Sequence, residues 1–438
     1  MAVTAESVFA VAADRLGAAG DPAWLARARR EGLARFQALG FPTSRDEEYR
    51  FTSIAPIVDG GFAPALAGTG ALDKTSLNPY AISGAIAATL VFVNGRYVPS
   101  ASGVGKLPKG VRVESLAAAL ADPRGGVEGY LGRSALPGDR AFTALNTALL
   151  ADGAFIRLPD QAIVDAPIHL VFLSSSADGP TMASPRVLIV LGESAQVTVI
   201  ESYGTLGDAP AFTNAVTEAI VGENASLFHY KIERDVPGSY HVGGMFLHSS
   251  RHSRITCHSL NLGGASIVRN DVVAVLAGEG GLCTVNGLYV GDADRLVDNH
   301  TTIDHAVPHC DSREVYKGIL SGHARAVFNG KIIVRPDAQK TDAKQTNKAL
   351  LLSHDAQINT KPQLEIFAND VKCTHGAAIG QMDEDAIFYL RARGIDARQA
   401  RHMLIRAFAG DVLDQMPLEA LRTQIDAELT GRLPDEAR

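Results

Sequence analysis

A right-handed parallel β-helix flanked by α-helical regions at both ends is the fold this sequence predicts, on three observations. Short alternating apolar runs recur through the middle of the chain, each closed by a polar corner of two or three residues. Where they follow most closely, the corners return about every 14 to 18 residues, as in a solenoid whose rungs stack. The two ends instead carry apolar residues at three- and four-residue intervals, the spacing of amphipathic helices.

The first region, residues 1–87, shows Trp24, Leu25, Ala28, Leu33 and Phe36 at helical spacing, stopped by Gly40 and Pro42. Thr43 or Ser44 can then cap a short turn exposing Asp46, Glu47 and Glu48, an acidic run expected to be solvated surface. The core region, residues 88–378, contains runs such as R-V-L-I-V-L-G-E-S-A-Q-V-T-V-I and K-I-I-V-R-P-D-A-Q-K-T. A small residue opens the next strand after a corner: Ala195, Ala225, Ala324, Ala338 or Ala356. A meander would need many hairpins, but Asn94-Gly95, Asn286-Gly287 and Asn329-Gly330 are too few, so a β-sandwich with helical additions is the weaker alternative. Stacked rungs leave their ends unpaired, which makes the helical regions candidate caps. In residues 379–438, Asp383 can cap a helix through Ile387, Phe388 and Leu390, stopped by Gly394. Asp396 can cap a second carrying Ala400, Met403, Leu404, Ala407 and Phe408, and Pro417 opens a third toward Leu429. Helices this short suit a docking platform or a cap better than a catalytic domain.

Composition narrows the function. The 438 residues are 46% hydrophobic and 20% charged, with a net charge of −7, which argues against a general nucleic-acid or anionic-membrane binder. The amino-terminal run has no basic leader and is interrupted by Glu6 and Asp14, and no stretch of about 18 apolar residues follows. Cys257, Cys283, Cys310 and Cys373 are scattered without a C-x-x-C pair, which fits a reducing cytoplasm and excludes a zinc ribbon or ferredoxin pattern. There is no G-x-x-x-x-G-K-[ST], so the chain should not hydrolyse ATP by itself; G-x-S-x-G and H-E-x-x-H are also absent.

Two constellations remain. The run D-N-H-T-T-I-D-H-A-V-P-H-C-D-S groups His300, His305, His309 and Cys310. An unbroken strand would put His300 and His305 on opposite faces, so a structural reading is preferred over a ligand role for His305 or Cys310. In K-C-T-H-G, Cys373 and His375 would share one strand face about 6 to 7 Å apart. Val371 lies on the same face, so this pair is either core filling or half of a metal site that a second chain must complete.

The run N-T-K-P-Q-L-E-I-F-A-N-D-V-K-C-T-H-G-A-A-I-G, followed by D-E-D-A-I-F-Y-L-R-A-R-G-I, resembles the carboxy-terminal signature of the SufB/SufD family of iron–sulfur cluster assembly scaffolds. The resemblance extends through A-V-F-N-G-K-I-I-V and T-D-A-K-Q-T-N-K-A-L-L-L-S to F-P-T-S-R-D-E-E-Y-R-F-T, and so covers most of the chain. K-C-T-H-G and the acidic amino-terminal segment are similar to the SufD branch. The SufB branch carries an assembly cysteine where Asn347 stands here, and a glutamate where Gly376 stands; both departures fit a partner role.

The resemblance implies a β-helix core in a complex with SufB and two copies of the ATPase SufC. It implies ATPase docking through the segments around Asp383 to Leu413, here Asp383, Phe388, Leu390, Met403, Leu404 and Phe408. It also implies a nascent cluster or iron, transient rather than permanently bound, at the SufB interface, with His375 contributing and Cys373 as a second candidate. ATP-driven movement of the docked subunits would open or close that interface. Whether the chain forms a homodimer without SufB stays open. The rival from fold class alone is a β-helix enzyme acting on a polysaccharide, which would need an exposed carboxylate pair or a calcium-and-arginine groove.

Overall fold

The computed structural model describes residues 5–17, 21–66, 72–122, 124–135, 138, 140–176 and 179–432. The first four residues, part of the stretch read as lacking a leader, lie outside them. From Gln196 onward the chain alternates between two sheets. Sheet B receives Gln196–Leu206, Ser226–Arg234, Arg254–Asn261, Leu282–Gly291, Asp311–Leu320, Asp342–Leu351 and Lys372–Gln381. Sheet A receives the strands between them, from Ala211–Val221 to Gln357–Ile366. All these neighbours are parallel, giving a β-solenoid of about eight turns. Ser226 registers on Arg254 and Arg254 on Leu282, so a coil there is 28 residues long and the closest corner spacing in the sequence is half a coil.

The corners explain the small residues. Ser194, Asn224, His252, His309 and Lys340 all adopt positive φ, between 52° and 61°, each just before a strand of sheet B. Their amides donate one coil onward, Ser194 to the Glu223 carbonyl at 2.8 Å and His309 to that of Gln339 at 2.9 Å. The residue after each is small and buried: Ala195, Ala225, Ser253, Cys310 and Thr341. A larger side chain would push adjacent coils apart, because strands stack only about 4.8 Å apart.

Inside the solenoid, large and small residues interlock. Tyr289 registers on Gly318 and Gly287 on Tyr316. A Cβ at Gly318 would stand 2.3 Å from the Tyr289 ring, and one at Gly287 would stand 2.2 Å from the Tyr316 ring. Of the three Asn-Gly pairs, only Asn94-Gly95 is a turn, joining Ala88–Val93 to the antiparallel Arg96–Tyr97. The other two lie inside strands, where Gly287 makes room for Tyr316 of the next coil and Gly330 for Gln345 of the facing sheet.

The two ends of the solenoid differ. Antiparallel strands close the first coils: Arg96–Tyr97 and Gly103–Val104 against Ala88–Val93, and Arg112–Ser115 against Gly153–Leu158. The amino-terminal helices Ala5–Gly17 and Ala23–Leu39, with Ala141–Ala148, cover the outer face of sheet A through Phe36, Phe142, Leu145, Phe212 and Val242. The carboxy-terminal helices Glu384–Arg391, Ala397–Leu413 and Glu419–Arg432 are capped by Asp383 and Asp396 where expected for the first two. They do not cap the last coil: Ile405, Leu413, Leu421 and Ile425 pack on Tyr230, Ile232, Leu260 and Leu288, flanking sheet B. Each such fully buried aliphatic side chain is worth about 1.5 to 3 kcal/mol, which the narrow end of a solenoid could not match.

Replacing Gly318 by Val should cost about 1 to 3 kcal/mol by overpacking the interior. Thermal unfolding checks this: the midpoint should fall for Gly318→Val and stay unchanged for Gly380→Ala, where nothing lies within 4 Å of the added Cβ.

Candidate functional site

The strands Gln357–Ile366 and Lys372–Gln381 stand last in their sheets, each paired on one side only. Burial, near complete in the preceding coils, falls away here, and nearly every residue of Lys372–Gln381 is exposed. Ile366, Phe367 and Ile379 are exposed as well, Phe367 to 64%. This coil therefore offers two rows of free backbone groups and an apolar rim, a surface that natural sheets normally cover.

Cys373 and His375 lie on one face of that edge strand. Cys373 registers on Ala343, is half-buried, and packs with Ile332, Val334 and Ala338 of the interior. Burial pushes its thiol up, only partly offset by a hydrogen bond with the Ala343 backbone, so the neutral thiol dominates near pH 7. His375 registers on Gln345 and is exposed. Asn347 is buried in the next inward column, donating to Thr360 Oγ1 at 3.0 Å across to the other sheet. Among the described residues no group of three or more His, Cys, Asp or Glu side chains could hold a metal ion.

The other histidine-rich run is dispersed. The strand Leu296–His305 is unbroken, and its alternation sends His300 outward and His305 inward, where the His305 Nε2 lies 2.9 Å from the buried Ser312 hydroxyl. His309 and Cys310 are the corner pair described above, the thiol donating to the Gly278 carbonyl at 3.4 Å.

His300 belongs instead to a strap missed in the sequence. The acidic run that looked solvated crosses the outer face of sheet A, where Glu48 Oε2 meets His300 Nδ1 at 2.9 Å and Glu47 pairs with Lys361 of the last coil. His300 Nε2 lies 2.9 Å from Asp298 Oδ1, and the Thr52 hydroxyl donates to Asp298 at 2.6 Å. Arg269 donates to Asp298 and to the Glu48 carbonyl, both at 2.6 Å, beneath the Tyr49 ring. Burial disfavours the His300 imidazolium, yet the Asp298 and Glu48 carboxylates raise it to about 9. The His300 hydrogen bond holds Glu48 at about 2 against its partial burial. Only D-E-E could have signalled this strap, since its partners come from residues more than 200 positions away.

The carboxy-terminal residues singled out in the sequence divide by exposure. Phe388 is 72% and Met403 45% exposed, with Tyr389, not foreseen, at 57%. Leu390 and Leu404 are half-buried. Phe408 turns toward sheet B, its ring 4.3 Å from Lys317 Nζ, which also donates to the Phe408 carbonyl at 2.6 Å.

Fold and site together define a β-solenoid with one uncovered terminal coil and a helical flank presenting aromatic side chains. Family comparison refines that class. Residues 172–408 match the model described as "SUF system FeS cluster assembly, SufBD core domain", and residues 9–170 match the SufBD protein N-terminal region. The chain belongs to the SufBD family. It is 36% identical to an iron–sulfur cluster assembly SufBD family protein of Synechocystis, over 91% of this chain and 89% of that protein. It is 33% identical to the iron–sulfur cluster assembly protein SufD of Escherichia coli, over 93% of this chain and 92% of that one. A chloroplastic protein of Arabidopsis thaliana, ABCI7, is 27% identical over 93% and 86%. No helix among the described residues is long and apolar enough to cross a membrane.

The strap should be pH-sensitive in a definite sense. Because folding raises His300 from 6.5 to about 9, its stabilisation is complete below pH 6.5 and is lost as the pH rises through 9. Glu48, lowered from 4.5 to about 2, contributes above pH 4.5 and loses that contribution as the pH falls through 2. Tryptic cleavage after Arg45 and Arg50, normalised to a His300→Gln variant, should be slow near pH 6.5 and approach the variant's rate above pH 9.

Proposed function

We propose that this chain is a non-catalytic scaffold subunit of an ATPase-coupled iron–sulfur cluster assembly complex in the cytoplasm. The observation that carries the reading is the uncovered last coil: a full-length edge strand bearing Cys373 and His375 on one face, rimmed by Ile366, Phe367 and Ile379. An edge of this kind is completed by another strand edge, and a SufB-like paralogue with its own solenoid is the partner the family resemblance suggests. An imidazole and a half-buried thiol are too few to hold a cluster alone, so the partner must supply the remaining thiolate and carboxylate ligands.

In this reading the nascent cluster or its iron is cargo, with no cofactor permanently bound. His375 is the first ligand; Cys373 joins it only where a metal displaces its proton, because its burial disfavours the free thiolate. The helical flank receives a SufC-like P-loop ATPase. Phe388 and Met403 offer exposed apolar contact, Leu390 and Leu404 back them, and Asp383 and Phe408 fix the helices that carry them. The last coil can also pair with a second copy of this chain when the paralogue is missing.

Two measurements test the reading. Affinity purification from the native cell should recover a P-loop ATPase and a related β-helix subunit, and Phe388→Ala with Met403→Ala should lose the ATPase while keeping the solenoid partner. In complementation, His375→Ala should abolish cluster assembly and Cys373→Ala should reduce it less; full assembly with His375→Ala would remove the site.

A further inference from the structure

The outer face of sheet A carries a recess that the scaffold role leaves unused. Its floor is two adjacent columns of the ladder: Val216, Gly244, Asp271 and His300 in one, Val273, Thr302 and Lys331 in the next. The strap adds Glu48 and Tyr49 to its walls, and the helix Ala141–Ala148 adds Phe142 and Thr143 from its first turn. Its volume is about 210 Å³, more than the roughly 150 Å³ that accepts a benzene ring. Gly244 keeps the floor open, since a Cβ there would stand 3.0 Å from the Phe246 ring and 3.7 Å from Thr143 Oγ1.

The carboxylates at the recess are already engaged. Asp271 takes two hydrogen bonds from Arg269, at 3.0 and 3.2 Å, and Glu48 is held by His300. Arg140, which also lines the recess, is exposed and has no ion pair among the described residues; its guanidinium lies 5.7 Å from the Phe246 ring centroid. The helix that begins there has no side-chain cap and no acidic residue in its first turn. Thr143, only 4% exposed, and Tyr49 carry hydroxyls that make no hydrogen bond among the described residues. Burial pushes the Tyr49 hydroxyl far up, against the pull of the Arg269 and Arg140 charges, so it stays a donor. One buried acceptor, Asn329 Oδ1, also lacks a partner, but donors and positive charge predominate among the unengaged groups.

We propose that this recess binds a small organic anion, an apolar body carrying a carboxylate or a phosphate, whose charge is received by Arg140, the first-turn amides of Ala141–Ala148 and the Thr143 and Tyr49 hydroxyls. An arginine fork and an uncapped helix start recognise either head group. Val216, Val273 and the Phe142 ring supply the apolar contact. Because Tyr49 belongs to the strap, an occupied recess also holds the strap against sheet A. The site is separate from the last coil and does not depend on what His375 and Cys373 do.

Isothermal titration calorimetry of the full chain tests the site, with benzoate and phenyl phosphate as probes and benzyl alcohol as the uncharged control. At least one anion should bind with a Kd below about 1 mM, and benzyl alcohol should bind at least roughly 10-fold more weakly. The tighter of the two anions names the natural head group. Arg140→Gln should weaken that anion roughly 10-fold. Its side chain is exposed and unpaired, so the fold should survive the change. Tyr49→Phe, which keeps the ring against Arg269, should weaken binding by a smaller factor. Saturating anion should also slow tryptic cleavage after Arg50 in the native chain. Failure of both anions to bind overturns the proposal, as does equal binding of benzyl alcohol. An affinity unchanged in Arg140→Gln, or cleavage unaffected by saturating anion, places the binding elsewhere and overturns it too.

Discussion

Parallel pairing between successive coils is the interaction on which the rest of the molecule depends. Each strand donates and accepts on both edges, so every coil is completed only by the next, and the last has no successor. The beginning of the solenoid escapes this demand through antiparallel strands laid on its first coils. The far end does not, and the helices that might have covered it pack along sheet B instead. Cys373 and His375 therefore stand on a strand whose outer backbone edge has no neighbour.

The interior is unusually polar for a core. Glu201 receives the Tyr203 hydroxyl at 2.5 Å and the Thr217 hydroxyl at 2.8 Å, with His229 Nε2 at 2.8 Å. Glu233 sits 2.8 Å from Lys231 and accepts from Asn261 at 3.0 Å. Burial pushes the Glu233 carboxyl up, but Lys231 and His241 hold it down at about 2. Buried charges of this kind seldom add net stability, yet they penalise any misregistered coil that would leave one of them unpaired. In a repeat whose coils are otherwise alike, such pairs distinguish one register from its neighbours.

Much of the fold was legible in the sequence because alternation and corner spacing report directly on strands and coils. The alanine corners were visible for the same reason: the buried position of a stacked turn admits only a small side chain. The place of the terminal helices was not legible, since an amphipathic stripe shows that one face is buried without naming what buries it. At the candidate site, Cys373 and His375 could be placed on one face from their separation of two. Gln345 could not be placed beneath His375, because register across coils depends on corner length. The strap through Glu48 was hidden likewise, its partner lying 252 residues away.

The corners also make the solenoid tolerant of length in a way its strands are not. Leu282 to Asp311 is 29 residues, Asp311 to Asp342 is 31 and Asp342 to Lys372 is 30. Over the same span the sheet B strands are each 10 residues long. All the slack is taken up outside the ladders, so insertions can accumulate at the turns without shifting the phase of any inward column. The architecture behaves as a ruler with fixed divisions and elastic joints. A lineage can decorate its rim freely while the side chains lining its bore keep their alignment across these coils.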